Sequence, residues 1–255
     1  MIVIKSQHEI DIMRKAGEIT AIALEKIREA ISSGVTTIDL DRMVEEYIRS
    51  KGATPSFKGY RGSPGAVNFP ASICTSVNNE VVHGIPGLRK LNNGDIISID
   101  IGVFFNGYHG DAARTYAVGK VSEKAEKLIQ VTKDSFFEGI KCAIEGNRIV
   151  DISSAIQKYV EKHKYSVVRE YVGHGIGKEM HEAPQVPNYR TRERGSRLQK
   201  GMTLAIEPMV NEGDYQVKVL DNKWTVVTAD GSLSAHYENT IVITDGQPKI
   251  LTINE

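Results

Sequence analysis

Hydrophobic positions in the first fifty residues recur at helical spacing. Ser6, with Glu9 three residues on, forms a capping-box signal. Ile10, Met13, Leu24, Ile27 and Ile31 then share one face until Ser32-Ser33-Gly34 stops the pattern. A second amphipathic helix is predicted from about Thr37 to Lys51, with Leu40, Val44, Tyr47 and Ile48 on one side and Gly52 as terminator. A Gly- and Pro-bearing loop, Thr54 to Pro70, follows. The pattern then turns strand-like: Ile73 to Val82, Ile96 to Phe105 and Tyr108 to Val118 read as strands, the last two joined by the hairpin dipeptide Asn106-Gly107.

The second half repeats this order. An offset of 112 matches Gly34 to Gly146, Ile38 to Val150, Asp39 to Asp151, Leu40 to Ile152, Val44 to Ile156, Tyr47 to Tyr159 and Ile48 to Val160. An offset of 107 matches Leu91, Gly94, Ile99 and Asp100 to Leu198, Gly201, Ile206 and Glu207. His109-Gly110-Asp111 likewise resembles His236-Tyr237-Glu238. Chance overlap of helical periods accounts for the helices, but not for acids recurring at matching places in strands. The pattern implies a duplicated α+β unit forming one domain over 1–255, with halves of about 1–120 and 121–255. Packed about a pseudo-twofold, the halves bring Asp100, Asp111, Glu207 and Glu238 together at the seam.

The hairpin register sharpens this expectation. With Phe105 facing Tyr108, Asp100 lies opposite Ala113, and Asp111 is its diagonal neighbour on the same face, within about 8 Å. Taken singly, each acid reads as a turn or cap residue. Asp100, however, sits within Ile96-Ile97-Ser98-Ile99-Asp100-Ile101 and Glu207 within Leu204-Ala205-Ile206-Glu207-Pro208-Met209, apolar runs that imply burial. Four carboxylates in one cleft repel and raise each other's pKa unless cations compensate them, and two divalent ions cancel four charges. His174, in Gly173-His174-Gly175-Ile176-Gly177 after an apparent strand Tyr165 to Val172, reads alone as a loop histidine. Beside the acids it becomes a neutral nitrogen donor, its glycines permitting close backbone approach. Oxygen ligands with one imidazole suit Mn, Fe, Co or Zn, and neither Cys74 nor Cys142 reads as a ligand.

Composition narrows the class further. The 255 residues carry 32 basic and 32 acidic side chains, a formal net charge of +0, which gives no global attraction to nucleic acid or acidic membranes. Two cysteines fit a reducing compartment, and Met1 to Glu9 lacks the basic start and apolar run of a signal peptide. No apolar stretch is long enough to span a bilayer. A cytoplasmic protein with no membrane contact and no sequence-specific nucleic-acid binding is expected.

Asp100, Asp111, His174, Glu207 and Glu238 are set in Asn79-Glu80-Val81-Val82-His83-Gly84-Ile85-Pro86, the glycine-flanked His174 segment, Met202-Thr203-Leu204-Ala205-Ile206-Glu207-Pro208 and Tyr237-Glu238-Asn239-Thr240. Together these closely resemble the type I methionine aminopeptidases over nearly the whole chain. The resemblance implies the pita-bread α+β fold, with antiparallel sheet inside and helices outside, in a monomer. It implies removal of the initiator methionine from nascent polypeptides when the second residue is small, by a water or hydroxide bridging two divalent ions. Carried over, Asp100 and Asp111 bind one ion, His174, Glu207 and Asp111 the other, and Glu238 bridges both with Asp111. Glu207 would also accept the water proton, His83 would contact the peptide near the scissile amide, and His181 would hydrogen-bond the carbonyl oxygen. The methionine pocket would draw on Tyr60, Phe69, Cys74, His83 and Trp224. Two departures stand out: Ser63-Pro64-Gly65-Ala66-Val67-Asn68 looks like an insertion, and Met180 stands where some members carry an aromatic. The rival readings are a proline-directed peptidase of the same fold and a peptide-binding module without catalysis. The basic run Arg190, Arg192, Arg194, Arg197 and Lys200 suggests docking on ribosomal RNA through phosphate contacts.

Overall fold

The computed structural model describes residues 1–62 and 67–254. Its first half contains α1 (Gln7–Ala30), α2 (Thr37–Ser50), β1 (Thr54–Pro55), β2 (Cys74–Val77), β3 (Glu80–Val82), β4 (Ile96–Phe105) and β5 (Tyr108–Ala117). The second contains α3 (Glu123–Ile140), α4 (Ile149–Lys162), β6 (Ser166–Val167), β7 (Gly173–Gly175), β8 (Glu182–Val186), β9 (Thr203–Ile206), β10 (Met209–Asn211), β11 (Val217–Val219), β12 (Val226–Thr228), β13 (Ser234–His236), β14 (Asn239–Val242) and β15 (Lys249–Ile250).

The capping box forms as expected: the Ser6 hydroxyl accepts from the Glu9 N–H, and the Glu9 carboxylate accepts from the Ser6 N–H at 2.8 Å. Helices α2 and α4 are displaced by the 112 residues of the internal repeat at both ends. The hairpin β4–β5 has the predicted register, with Phe105 opposite Tyr108 and Asp100 opposite Ala113. At its turn Asn106 has φ +47° and Gly107 φ +87°, the left-handed pair that suits the twist of a two-residue hairpin.

Three strand expectations need correction. Ile73 to Val82 is two strands, because Asn78 takes φ +58° and turns the chain between β2 and β3. The loop after α2 begins with a two-residue strand, β1, paired with the far end of β4. The run Tyr165 to Val172 pairs only at Ser166–Val167. Arg169 and Glu170 are exposed there, and the Arg169 guanidinium lies 3.8 Å from the Tyr215 ring centre, so the chain leaves the sheet before β7.

Alternation along β4 separates core from site. Ile97, Ile99, Ile101 and Val103 pack with Leu24, Ile27, Leu40, Val44 and Ile48 of the first two helices. Ser98, Asp100 and Gly102 therefore point to the other face. In the second half, Leu128, Phe136, Ile152, Ile156 and Val160 cover Leu204, Ile206, Val210 and Ile241 in the same way. Helices outside and antiparallel sheet inside, twice over, make the pita-bread architecture. Among the described residues no helix is long and apolar enough to cross a membrane.

The two halves meet along β5. Ala113 and Glu238 exchange backbone hydrogen bonds of 3.3 and 2.9 Å. Two residues to one side, Thr240 Oγ1 links to the Asp111 backbone; two to the other, Thr115 Oγ1 links to the His236 backbone. The equivalent of hairpin β4–β5 is interrupted in the second half. Ile206 faces Asn239 and Met209 faces His236 in a common register, so Glu207 and Glu238 lie opposite each other across the break. This register makes Asp100 equivalent to Glu207, Ala113 to Glu238 and Asp111 to His236. The sequence match of Asp111 with Glu238 is thus two residues out of step, and Glu238 lies at the pseudo-twofold itself.

Candidate metal centre

Each acid reaches the seam for a local reason. Asp100 is carried on the non-helical face of β4 and Asp111 on the same face of β5. Glu207 and Glu238 occupy the break between β9 and β10 and between β13 and β14, where Glu238 is held through its backbone by Ala113 of β5. His174 lies on β7 with partners on both sides, β8 and β9, so it is a strand residue and not a loop histidine. Its flanking glycines are required: a Cβ on Gly173 would meet the Ala205 carbonyl at 2.4 Å, and one on Gly175 the Ala183 carbonyl at 2.2 Å.

Asp111 (3 % exposed), His174 (7 %) and Glu238 (1 %) are buried with ligand atoms within 4.8 Å of one another. Asp100, His236 and Glu238 form a second such group, sharing Glu238 because of its place at the axis. Glu207 stands beside both imidazoles, its carboxylate 3.5 Å from His174 Nε2 and 3.7 Å from His236 Nε2. Oδ1 of Asp100, Oδ1 of Asp111, Oε1 of Glu238 and Nε2 of His236 are buried without a hydrogen-bond partner among the described residues. Buried carboxylates and imidazoles left unpaired around one point are the donor set a divalent cation satisfies.

Electrostatics agree with this donor chemistry. Burial pushes the Asp100 carboxyl up to about 7. Burial, followed by repulsion from Glu238 and Asp100, raises Asp111 well above the carboxylate range; burial and Asp111 do the same to Glu207, and burial and Glu207 to Glu238. Burial also pushes His174 down to about 3, keeping it neutral. Its Nδ1 is 2.9 Å from the Gly175 carbonyl; a proton donated there leaves the Nε2 lone pair toward the acids.

One cavity is lined by all the expected site residues: Tyr60, Phe69, Cys74, His83, His181 and Trp224, together with Asp100, Asp111, His174, Glu207 and Glu238. Phe57 lines it as well and was not foreseen, since an aromatic in a loop carries no periodic signal. His83 adopts φ +58°, and its ring stands edge-on to Tyr171 and Trp224, with centroids 5.5 and 6.2 Å away. Burial pushes its pKa down to about 4. His181 is at the mouth, its Nδ1 2.6 Å from the Tyr60 hydroxyl. Met180 is buried and packs in one apolar cluster with Phe57, Phe69 and Cys74. Of the insertion 63–68, residues 63–66 lie outside the described residues; Trp224 Nε1 donates to the Val67 carbonyl at 2.9 Å. An adjoining lobe shares His83, Asp100, His181 and Glu207, and is closed by Val82, Tyr171 and Met209.

Arg114 is a further residue with no motif to announce it. Half-buried beneath the seam, its guanidinium donates to the Ala113 carbonyl at 2.8 Å, to the Glu238 carbonyl and to Asn239 Oδ1 at 2.7 Å, and lies 4.2 Å from the Tyr237 ring centre. It ties the strand carrying Glu238 to the strand carrying Asp111. The roomier cavity between α1, α3 and β5 borders Arg28, Arg114, Lys133 and His236, on the helical side of the seam.

A carboxylate and imidazole cluster buried where duplicated α+β halves meet, open to an aromatic pocket, is what a metal-dependent hydrolase requires. The sequence model described as metallopeptidase family M24 matches residues 11–245, and the chain belongs to that family. It is 59% identical to the methionine aminopeptidase of Clostridium acetobutylicum over 256 residues, covering 100% of both chains. It is 57% identical to that of Clostridium perfringens over 253 residues, covering 99% of each. The crystal structure of methionine aminopeptidase from Rickettsia prowazekii superposes with a TM-score of 0.95 at 42% identity, covering 99% of this chain and 100% of that one.

Proposed function

We infer that the chain is a metal-dependent aminopeptidase that removes methionine from the N-terminus of polypeptides, a metallo-exopeptidase. The observation that carries the reading is the union, in one cavity, of a buried acid and imidazole cluster with a pocket of Phe57, Phe69, Trp224 and Cys74. Aromatic edges and polarizable sulfur favour a thioether side chain. The adjoining lobe bordered by Val82, Tyr171 and Met209 gives room for the chain beyond the methionine, whose second residue the reading takes to be small.

We propose that the cluster holds two divalent ions of the Co, Mn, Fe or Zn kind, with Asp100, Asp111, His174, Glu207 and Glu238 as ligands and Glu238 common to both. Bound there, such ions supply Lewis-acid polarisation and lower the pKa of water towards about 7. The protein groups do the rest. Glu207 accepts the proton of the attacking water and passes it to the leaving amine. With the Tyr60 hydroxyl donating to Nδ1, His181 carries its proton on Nε2 and donates it to the carbonyl oxygen as that oxygen becomes negative. His83, held edge-on by Tyr171 and Trp224, hydrogen-bonds the peptide at the scissile amide. Residues 1–255 work as one catalytic unit, because both halves supply donors.

The physiological setting we propose is the cytoplasm, on nascent chains, with the protein a monomer. Arg197 is already engaged by the Gly146 carbonyl and Lys200 by Asp245, which leaves exposed Arg190, Arg192 and Arg194 as the surface for ribosomal phosphates. The decisive experiment compares kcat/KM on Met-Ala-Ser and on Ala-Pro peptides, with and without chelator. Chelator-sensitive cleavage of Met-Ala-Ser alone is expected. Preference for Ala-Pro peptides, or cleavage of neither, would overturn the reading.

A further inference from the structure

His236 has no role among the ligands proposed above, yet it is placed as one. It is 2 % exposed, on β13, and its backbone N–H donates to Thr115 Oγ1 at 2.9 Å. Nε2 lies 3.7 Å from Glu207 Oε2 and 3.8 Å from Glu238 Oε2, and has no hydrogen-bond partner among the described residues. Those separations are too long for hydrogen bonds. The separation from Glu238 is that expected of atoms that share one ion, since ligands about 2.0–2.2 Å from a common cation stand 3–4 Å apart. A ligand atom of Asp100 completes the group.

The pseudo-twofold gives a second, independent reason. Strand register makes His236 the counterpart of Asp111. One group is Asp111, His174 and Glu238; the other is Asp100, His236 and Glu238. Each therefore combines one imidazole with carboxylates. A site built only of carboxylates would favour hard cations, whereas an added nitrogen shifts it toward Co, Ni or Zn. We propose that His236 Nε2 is a metal ligand for the ion held by Asp100 and Glu238, so that each of the two ions is bound by one imidazole. The inference rests on the two-ion reading and adds a sixth protein ligand to it.

The test uses the full-length protein stripped with chelator and titrated with Co²⁺. Calorimetry of the wild type is expected to show two ions. In His236→Gln one ion keeps its wild-type affinity and the other binds at least about 10–100-fold more weakly, the loss that even an outer partner of a ligand produces. Unchanged affinities for both ions in a folded variant would overturn the proposal. A second readout needs no variant: in the proton NMR spectrum of the di-cobalt wild type, with deuterium-labelled histidine rings for assignment, two imidazoles carry hyperfine-shifted ring signals. A single shifted imidazole with two ions bound removes His236 while leaving the two-ion reading intact. Failure of the wild type to bind ions at all removes both.

Discussion

Glu207 is asked to do two things, hold a cation and move a proton, and its surroundings separate them. Its carboxylate faces the two imidazoles, while its backbone carbonyl is fixed by Asn188 Nδ2 at 3.0 Å. Replacing it with Gln keeps the shape and one oxygen but removes the base. Glu207→Gln is expected to lower kcat on a Met-Ala peptide by about 10²–10⁴-fold. Metal analysis of the same preparation decides the cause: near wild-type turnover with ions bound would end the proton-transfer role. His181→Ala removes one donor to the oxyanion and is expected to cost about 10²–10³-fold in kcat, read from kcat/KM on the same peptide. A different residue-scale prediction concerns pH. The Tyr108 hydroxyl donates to Glu9 at 2.6 Å and, with the Ser6 contacts, holds the Glu9 carboxyl down to about 2. A carboxyl lowered in the fold lends stability above its ordinary range, and that stability is lost as pH falls through about 2. In Tyr108→Phe the Glu9 carbon-13 titration midpoint should rise toward 4.5, and an unmoved midpoint would show that Tyr108 is not the cause.

Among the elements, hairpin β4–β5 carries two of the proposed ligands, and its register decides whether they face the seam. The turn sets that register. Gly107 has φ +87° and open space around its Cα, so Gly107→Ala meets backbone strain alone, about 1–2 kcal/mol. At about 2–4 °C per kcal/mol for a chain of this size, Tm should fall by several degrees while kcat/KM on Met-Ala-Ser is kept. Gly110 is a different case. A Cβ there would meet the Gly17 nitrogen at 2.8 Å and the Ala16 carbonyl carbon at 3.0 Å, so Gly110→Ala forces α1 away from the strand that bears Asp111. Cobalt affinity should then fall along with Tm. Equal behaviour of the two variants in calorimetry would mean that α1 does not position the cluster.

For the whole molecule, the seam is a place where hydrogen bonding and charge oppose each other. Arg114, Thr115 and Thr240 tie the halves, whereas Asp100, Asp111, Glu207 and Glu238 repel across the same line. Cations relieve the repulsion and bind only where both halves are in place, so metal binding and stability are linked. Stripping the protein with chelator should abolish hydrolysis of Met-Ala-Ser and lower Tm. Adding Co²⁺ or Mn²⁺ should restore both. A Tm indifferent to chelator and to added ion would separate the acids from any bound cation.

How much of this was legible beforehand follows from range. The helices, the Asn106-Gly107 hairpin and the diagonal of Asp100 and Asp111 depend on neighbours a few residues away, and periodicity with turn chemistry determined them. The repeat showed that acids from both halves would converge, because duplicated strands keep their alternation. Other features depend on contacts that no local pattern encodes. The break at Glu207 and Glu238, the strand that ends at Val167, the entry of Phe57 into the pocket and the seating of Arg114 against Glu238 and Asn239 arise from packing between distant segments. The pseudo-twofold counterpart of Asp111 was decided the same way. In sequence, two matching acids drew the alignment to Glu238, but backbone hydrogen bonds across the seam fix the register two residues away and put His236 there. Side-chain likeness can slip along a strand, whereas a hydrogen-bonded ladder cannot.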